Sequence, residues 1–473
     1  MTGAKSARSR IFGALVLLIL AAGAYVRFSG IGLRSVWFDE GQTLGMVQVP
    51  IVDLLRHLDN PVLNNQVFYY LALRPWHLLG DDISTVRGFS AICSIVAILL
   101  TCLLGRRLFG MAAGLVAGAL LSIHWFSIRY AQEARGYSLA MMCSCLAALF
   151  LAKALDSGRR RDIAWWVVAS GLAMYSHSFA LFTIAFQILS LAALGPRALF
   201  AKKNLLIGIA AITALTAPIL YTLGTASHKV ISWIPPVTSQ YLIWQTGYLA
   251  GGGSGVPYVY VAVLAILVVR ILRERDPVAR WGATLFILWG LGPLAALATI
   301  SLWGPVLLNR YLVMSIPAWT LAAGAAVASV RQNRTLAPVA WVLVGVILTS
   351  QLKVASGFAE GPHEEDWTTP ANLVAQDARP GDAILYDSSW SAFALEYYLK
   401  RSGAPQPARL QHGELLFSNE FDKAEASAAD RVWLVLSRED IVRAIRIQAL
   451  LEATHSKVSS KYADEVRIML YER

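Results

Sequence analysis

About eleven apolar runs, separated by short polar connectors, constrain this chain more than any other feature. They occupy residues 11–28, 87–104, 111–128, 137–154, 163–175, 179–194, 205–223, 257–272, 281–303, 311–330 and 336–352. A membrane-spanning helix needs about 20 mostly apolar residues, and most of these runs approach that length. Basic residues fall in every second connector: Lys5, Arg8 and Arg10 before the first run, then Arg106-Arg107, Arg159-Arg160-Arg161, the group Arg197, Lys202 and Lys203, Arg273-Glu274-Arg275, and the pair Arg331 and Arg334. Cytoplasmic loops are enriched in Lys and Arg, so this alternation fixes an orientation with the N-terminus in the cytoplasm. An odd number of spans then puts the C-terminus outside.

Composition agrees. The chain is 56% hydrophobic and only 15% charged, whereas soluble domains run near one half and one quarter. The net charge of +11 reads as topology, since the cations sit in connectors; no zinc-finger spacing or base-reading helix points to nucleic acid, and no nucleic-acid partner is expected. Cys93, Cys102, Cys143 and Cys145 all lie inside apolar runs. Cys143 and Cys145 would point about 200° apart on a helix, so all four are expected to be packing residues. The first run is expected to be a retained anchor and not a cleaved signal.

Two regions fall outside this pattern. Residues 29–86 mix polar residues with Trp37, Phe38, Trp76 and Phe68-Tyr69-Tyr70, the mark of an outer loop carrying interfacial helices. After Lys353 no run could span a bilayer. Helices are expected over 366–378, 390–400 and 439–451, and strands over 383–386, 432–436 and 466–471. That alternation describes a small α/β domain. The division expected is a membrane domain over 1–352 and an extracytoplasmic α/β domain over 353–473. The latter has no Gly-rich phosphate loop, so a nucleotide role has no support.

With the topology set, the unusual polar residues share the outer face. Asp39 and Glu40 follow the first run, Asn64-Asn65-Gln66 lie in the same loop, and Arg87 stands at the outer end of the second run. Arg129, Gln132, Glu133 and Arg135 form the next outer turn, followed by His177 and by Asn309-Arg310-Tyr311. Taken singly, an Arg at a helix end snorkels, a His in a turn is solvated, and Glu133 with Arg135 is a local ion pair of little worth. Carboxylates and cations converging on one rim of a helical bundle instead suit chemistry on a lipid phosphate.

These residues carry a resemblance. The sequence resembles the GT-C class of polyprenyl-phosphate-sugar-dependent membrane glycosyltransferases, the branch of protein O-mannosyltransferases and the lipid A aminoarabinose transferase. Trp37-Phe38-Asp39-Glu40 matches the family's first-outer-loop acidic motif. Phe68-Tyr69-Tyr70, Leu79-Gly80-Asp81, Val86-Arg87 and Leu104-Gly105-Arg106-Arg107-Leu108-Phe109-Gly110 follow its next segment. Tyr130-Ala131-Gln132-Glu133-Ala134-Arg135-Gly136-Tyr137 resembles its second outer loop, Tyr175-Ser176-His177-Ser178-Phe179 its Tyr-Thr-His-like turn, and Arg310-Tyr311-Leu312 with Pro317 its Arg-Tyr-Leu element. Many members carry His-Pro-Pro, and some Asn-Asn-His, where this chain has Asn64-Asn65-Gln66; the change from His to Gln speaks against a metal there.

The resemblance implies a GT-C fold and transfer of a sugar from a polyprenyl-phosphate donor, held in membrane lipid, to the hydroxyl of an acceptor glycan, glycolipid or protein. It places this chemistry on the extracytoplasmic face of the cell membrane. Asp39 would be the general base, Glu40 its orienting neighbour, and Glu133 the second candidate. Arg87 and Arg310, backed by Arg135 and His177, would stabilise the departing phosphate. Tyr311, Tyr70, Asn65 and Gln66 would contact phosphate or sugar. No cofactor is required, and the sequence gives no support for a divalent cation. Mannose leads among sugars by family frequency, and a single displacement would invert the anomeric centre. Two alternatives remain: a lipid-linked sugar flippase or transporter, and a scaffold whose outer domain binds wall polymers.

Overall fold

The computed structural model of the chain describes residues 2–56, 65–225, 234–253, 255–358, 365–387, 389–409, 423–437, 441–463 and 466–473. Two compact units emerge from it. Met1–Ile31 and Ile51–Gly361 form the first, and Gly32–Pro50 joins Pro362–Arg473 in the second.

The first unit is helical. Among the described residues, eight helices are long and apolar enough to cross a membrane, and Met111–Ser122 with Trp125–Ala131 makes a ninth crossing if that pair, bent by 61°, counts as one span. The apolar runs at 163–175 and 179–194 are also helical, as Arg160–Ser176 and as Ala180–Leu189 continued by a 3-10 turn to Leu194, but both are shorter than a full span. The expected number of about eleven thus resolves into eight long helices, one broken one and two short ones. Leu17, Leu18, Tyr25, Tyr221, Val261 and Val342 are exposed apolar residues on these helices, as a lipid-facing surface requires.

A break in a membrane helix leaves backbone carbonyls that need donors. Here the donor is Arg27, fully buried in the last turn of Thr2–Phe28. Its Nη1 donates to the carbonyls of Ser122 (2.7 Å) and Gly23 (3.1 Å), and Nη2 to the Leu121 carbonyl (3.1 Å) and Ser127 Oγ (3.1 Å). Nε completes the set at Ser94 Oγ (2.8 Å). A guanidinium has five N–H donors, and all five are used. Gln132 returns the favour, its Nε2 facing the carbonyls of Val26 (3.3 Å), Arg27 (3.2 Å) and Ser29 (2.9 Å). Arg27 thus caps the end of Met111–Ser122, and Gln132, the residue after Trp125–Ala131, caps the end of Thr2–Phe28.

The second unit holds a five-stranded sheet among its described residues, ordered β2-β1-β3-β5-β4, where β1 is Ala383–Tyr386, β2 Ala408–Arg409, β3 Arg431–Ser437, β4 Ser456–Ala463 and β5 Val466–Glu472. β1 runs parallel to β2 and β3, and β5 antiparallel to β3 and β4. Every residue of β1 and β3 is buried, which explains why both read as continuous apolar runs. One face packs Leu385, Leu434, Leu436, Met469 and Tyr471 against Ile447 and Leu451 of the helix Ile441–Glu452. At the end of β1, Asp387 accepts the Ser437 N–H (2.7 Å) and joins the two parallel strands.

The helix Phe38–Gln48 belongs to this unit. Val36 N–H donates to Tyr398 Oη (2.7 Å), and the buried Glu365 carboxylate accepts from Phe38 N–H (2.8 Å) and Trp367 Nε1 (3.0 Å). Trp367 N–H in turn donates to Ser35 Oγ (3.0 Å). Gly41 permits a close approach: a Cβ there would stand 2.8 Å from the backbone nitrogen of Ala394 in the helix Ser389–Ser402.

Arg27→Ala should cost about 3 kcal/mol or more, because it strands several buried acceptors at once. Arg27→Lys, with three donors in place of five, should recover only part. Thermal unfolding of the detergent-solubilised protein reads this directly, and an unchanged midpoint in Arg27→Ala would refute the capping role.

Candidate active site

Within the first unit, three loops meet. The short helix Trp125–Ala131 ends in the turn that carries Gln132, Glu133, Arg135 and Gly136. Gln66 is fully buried beneath this turn, and its Oε1 accepts the Gly136 N–H (2.7 Å). A Cβ at residue 136 would lie 2.1 Å from the Ser176 carbonyl oxygen, so only glycine lets the second loop rest on the third. Asn65 ties the third loop as well, because Ser178 N–H donates to its carbonyl (3.0 Å) and to its Oδ1 (3.2 Å). Asn64 lies outside the described residues.

The polar side chains gather on this frame. Glu133 is buried, and its Oε1 lies 3.6 Å from Arg129 Nε, one helical turn earlier. Glu133 and Arg129 thus form a local ion pair. Arg135 is buried, and its carbonyl accepts from Ser90 Oγ (3.3 Å), which also meets Tyr69 Oη (2.9 Å). Tyr70 is buried beside Tyr69, with ring centroids 6.3 Å apart. Arg87, one turn before Ser90 on Ile83–Phe109, is buried with Nη1 donating to the Ile31 carbonyl (2.9 Å).

His177 is fully buried and sits against the rings of Tyr137 (4.8 Å) and Tyr311 (5.6 Å). Tyr311 stacks on Phe179 at 3.9 Å, with Arg310 beside it on the 3-10 turn Asn309–Ser315. Burial, with the charges of Arg135 and Arg310, holds His177 well below the usual histidine pKa. Its Nδ1 accepts from Phe179 N–H (3.3 Å), so the neutral ring carries its proton on Nε2. That Nε2 is buried and has no hydrogen-bond partner among the described residues. A buried donor within reach of two arginine charges is suited to an oxyanion or a sugar hydroxyl.

Asp39 and Glu40 lie in the second unit, in the first turn of Phe38–Gln48; Glu40 is fully buried and Asp39 half-buried. A carboxylate in that position interacts favourably with the positive end of the helix. The first-unit residues Glu133, Arg135, His177, Arg310, Tyr311, Asn65 and Gln66 are brought together, with Arg87 and Tyr70 linked to them through Ser90 and Tyr69. No group of three His, Cys, Asp or Glu side chains among the described residues could hold a metal ion.

Sequence reasoning passed over Arg27 and the helix Ser239–Ala250. The signal for Arg27 was present, since an ionisable residue inside an apolar run is expensive and needs a reason. Ser239–Ala250 places Tyr241 with its hydroxyl donating to the Leu307 carbonyl (2.9 Å), two residues before the Arg310 turn begins.

Two tests follow. Gly136→Ala should cost about 1–3 kcal/mol through overpacking and speed backbone hydrogen exchange across the 132–137 turn; unchanged exchange would show that the loop approach is not tight. Because the folded pKa of His177 is depressed, the unfolded chain takes up its proton first as pH falls below about 6.5. Stability should therefore be full above that pH and decline below it. The decline should be smaller in His177→Gln, and parallel pH profiles for the two proteins would contradict the assignment.

Residues 66–222 match the family described as dolichyl-phosphate-mannose-protein mannosyltransferase, a segment that contains the second and third loops. No curated protein matches the chain. Among solved structures, ArnT from Cupriavidus metallidurans in its apo state is similar at 13% identity and a TM-score of 0.62, over 99% of this chain and 98% of that one. The same protein bound to undecaprenyl phosphate gives 14% and 0.61, over 96% and 97%. The Archaeoglobus fulgidus oligosaccharyltransferase complexed with Zn and sulfate gives 12% and 0.56, over 89% and 67%. In fold over nearly all its length, and in sequence over residues 66–222, the chain resembles the GT-C class of polyprenyl-phosphate-sugar membrane glycosyltransferases.

Proposed function

We propose that the protein transfers a sugar, mannose or another hexose or pentose, from a polyprenyl-phosphate donor to an acceptor hydroxyl on the extracytoplasmic face of the cell membrane, with inversion. The observation that carries this reading is the buried, proton-bearing Nε2 of His177, which feels the charges of Arg135 and Arg310. A sugar phosphate placed there meets fixed donors where negative charge grows as the glycosidic C–O bond breaks. ArnT with bound undecaprenyl phosphate and the archaeal oligosaccharyltransferase with a dolichol-phosphate support a lipid-linked donor for this chain as well.

The acceptor hydroxyl must lose a proton as its oxygen attacks the anomeric carbon, and Asp39 takes it. Glu40, buried one residue on, is its orienting neighbour. Glu133 is the alternative base, and its carboxylate is engaged by Arg129. Arg310 and Arg135 balance the departing phosphate, with Arg87 behind them and Tyr311 offering a hydroxyl to phosphate or sugar.

A transporter remains the rival reading, and the broken span at 111–131 is the feature it would need. In transporters the freed backbone groups of such a break face the substrate. Here the Leu121 and Ser122 carbonyls are taken by Arg27, which favours a structural break.

Purified protein incubated with labelled polyprenyl-phosphate sugars tests the proposal. Asp39→Asn should lower turnover by about a hundredfold or more while leaving membrane insertion intact, and substantial residual activity would move the base role to Glu133. Arg310→Ala and Arg135→Ala should weaken donor use by about tenfold or more. If sugar is carried across vesicles without transfer to any acceptor, the transporter reading replaces this one.

A further inference from the structure

At the opposite ends of the helices from the candidate site lies a cavity of about 480 Å³, lined by Ala265, Ile266, Val269, Arg270, Arg273 and Glu274 together with residues of two neighbouring helices. Arg270 stacks over Phe109, 5.0 Å from its ring centroid. Phe109 closes the helix on which Arg87 stands, so at 1.5 Å per residue the two ends are about 33 Å apart, roughly the thickness of a bilayer core.

The six residues named are neighbours at i, i+1, i+4, i+5, i+8 and i+9 on Val256–Arg273 and its cap, which puts them on one helix face. Along that face the chemistry changes within two turns. Ala265 and Ile266 come first, then Val269 and Arg270, then Arg273 and Glu274 at the helix end. Val330 and Leu336 extend the apolar wall, while Ser329 and Asn333 add polar groups near the mouth. Asn333 caps the next helix through Oδ1, which accepts from Thr335 N–H and Leu336 N–H (3.0 Å each).

Charge is unbalanced there. Glu274 is engaged by Arg270, with Nη2 and Oε2 3.4 Å apart, whereas Arg270 Nε is buried with no hydrogen-bond partner among the described residues. Arg273 lines the cavity and is exposed, and Arg331 and Arg334, adjacent in sequence to the lining residues Val330 and Asn333, are exposed as well. An apolar slot that becomes cationic where the spans leave the membrane has the polarity of one ligand class: acyl chains below, a phosphate above.

We propose that this cavity binds an anionic phospholipid of the leaflet opposite the candidate active site, its phosphate held by Arg270 and Arg273 and its chains along Ile266, Val269 and Leu336. The site is independent of the transfer chemistry, and its test does not require activity.

The full-length protein in detergent is titrated with phosphatidylglycerol, with zwitterionic phosphatidylcholine and with inorganic phosphate, and bound lipid is counted by native mass spectrometry. One phosphatidylglycerol should survive on the wild-type protein under conditions that strip phosphatidylcholine. Arg273→Ala should weaken it about fivefold and Arg270→Ala/Arg273→Ala about thirtyfold, while Arg161→Ala, on another basic connector, should change nothing. Ser329→Leu, which fills the slot without altering charge, should also lower retention and guards against misfolding of the double variant. Equal retention of the two lipids, full retention in the double variant, or displacement of lipid by millimolar phosphate would overturn the proposal, the last indicating a site for free anions.

Discussion

The first unit depends on one guanidinium. Arg27 is the one charged residue in the apolar stretch of its helix from Ile11 to Phe28, and burying a cation without a carboxylate is ordinarily prohibitive. It is tolerated because five oxygens converge on its five N–H groups, three of them backbone carbonyls, of which those of Leu121 and Ser122 lie at a helix end, where partial negative charge accumulates. The break at 122–125 and the buried arginine solve each other's problem. The break frees carbonyls that Arg27 consumes, and those carbonyls supply the charge compensation that Arg27 lacks.

From that junction the geometry propagates outward. Redirecting the helix by 61° turns Trp125–Ala131 so that the chain emerges into the Gln132–Gly136 turn. Gln132 fastens that turn to the end of the first helix, Gln66 fastens Gly136, and Asn65 fastens Ser178 beside His177. Asn65 and Gln66 therefore act as a bracket between two loops, and Arg135 and His177 on those loops inherit their positions from it. This arrangement gives Gln66 a structural reason: its amide oxygen supplies the acceptor that Gly136 needs.

The helices of the membrane unit were legible because burial in lipid demands long apolar runs, and composition records that demand directly. The break was not, since 111–128 stays apolar through Ser122, Ile123 and His124, and nothing local announces that Arg27, almost a hundred residues earlier, will cap it. In the second unit the buried strands β1, β3 and β5 were readable as apolar runs. The edge strand β4, Ser-Lys-Val-Ser-Ser-Lys-Tyr-Ala, was missed because it is exposed along nearly its whole length and carries no apolar face; its partner β5 makes it a strand through pairing alone. Of the site, the residue types and the loops could be read, but the seating of Gly136 on Gln66 and the enclosure of His177 depend on contacts between loops far apart in sequence.

The membership of Gly32–Pro50 in the second unit changes what the C-terminal residues are for. Read along the chain, they follow the last span and resemble an appendage. In the structure, Glu365, Trp367 and Tyr398 hydrogen-bond the backbone and Ser35 around Trp37-Phe38-Asp39-Glu40, and Ala394 packs where any side chain at Gly41 would collide. The acidic helix has a sequence of low amphipathicity and only 11 residues, too short to persist alone in water. Its fold, and with it the direction in which Asp39 presents a carboxylate, is borrowed from residues more than three hundred positions later. A lipid-facing bundle can supply cations from its loops, but a short acidic helix needs a packed surface beneath it, and that surface is the role this structure gives the α/β unit.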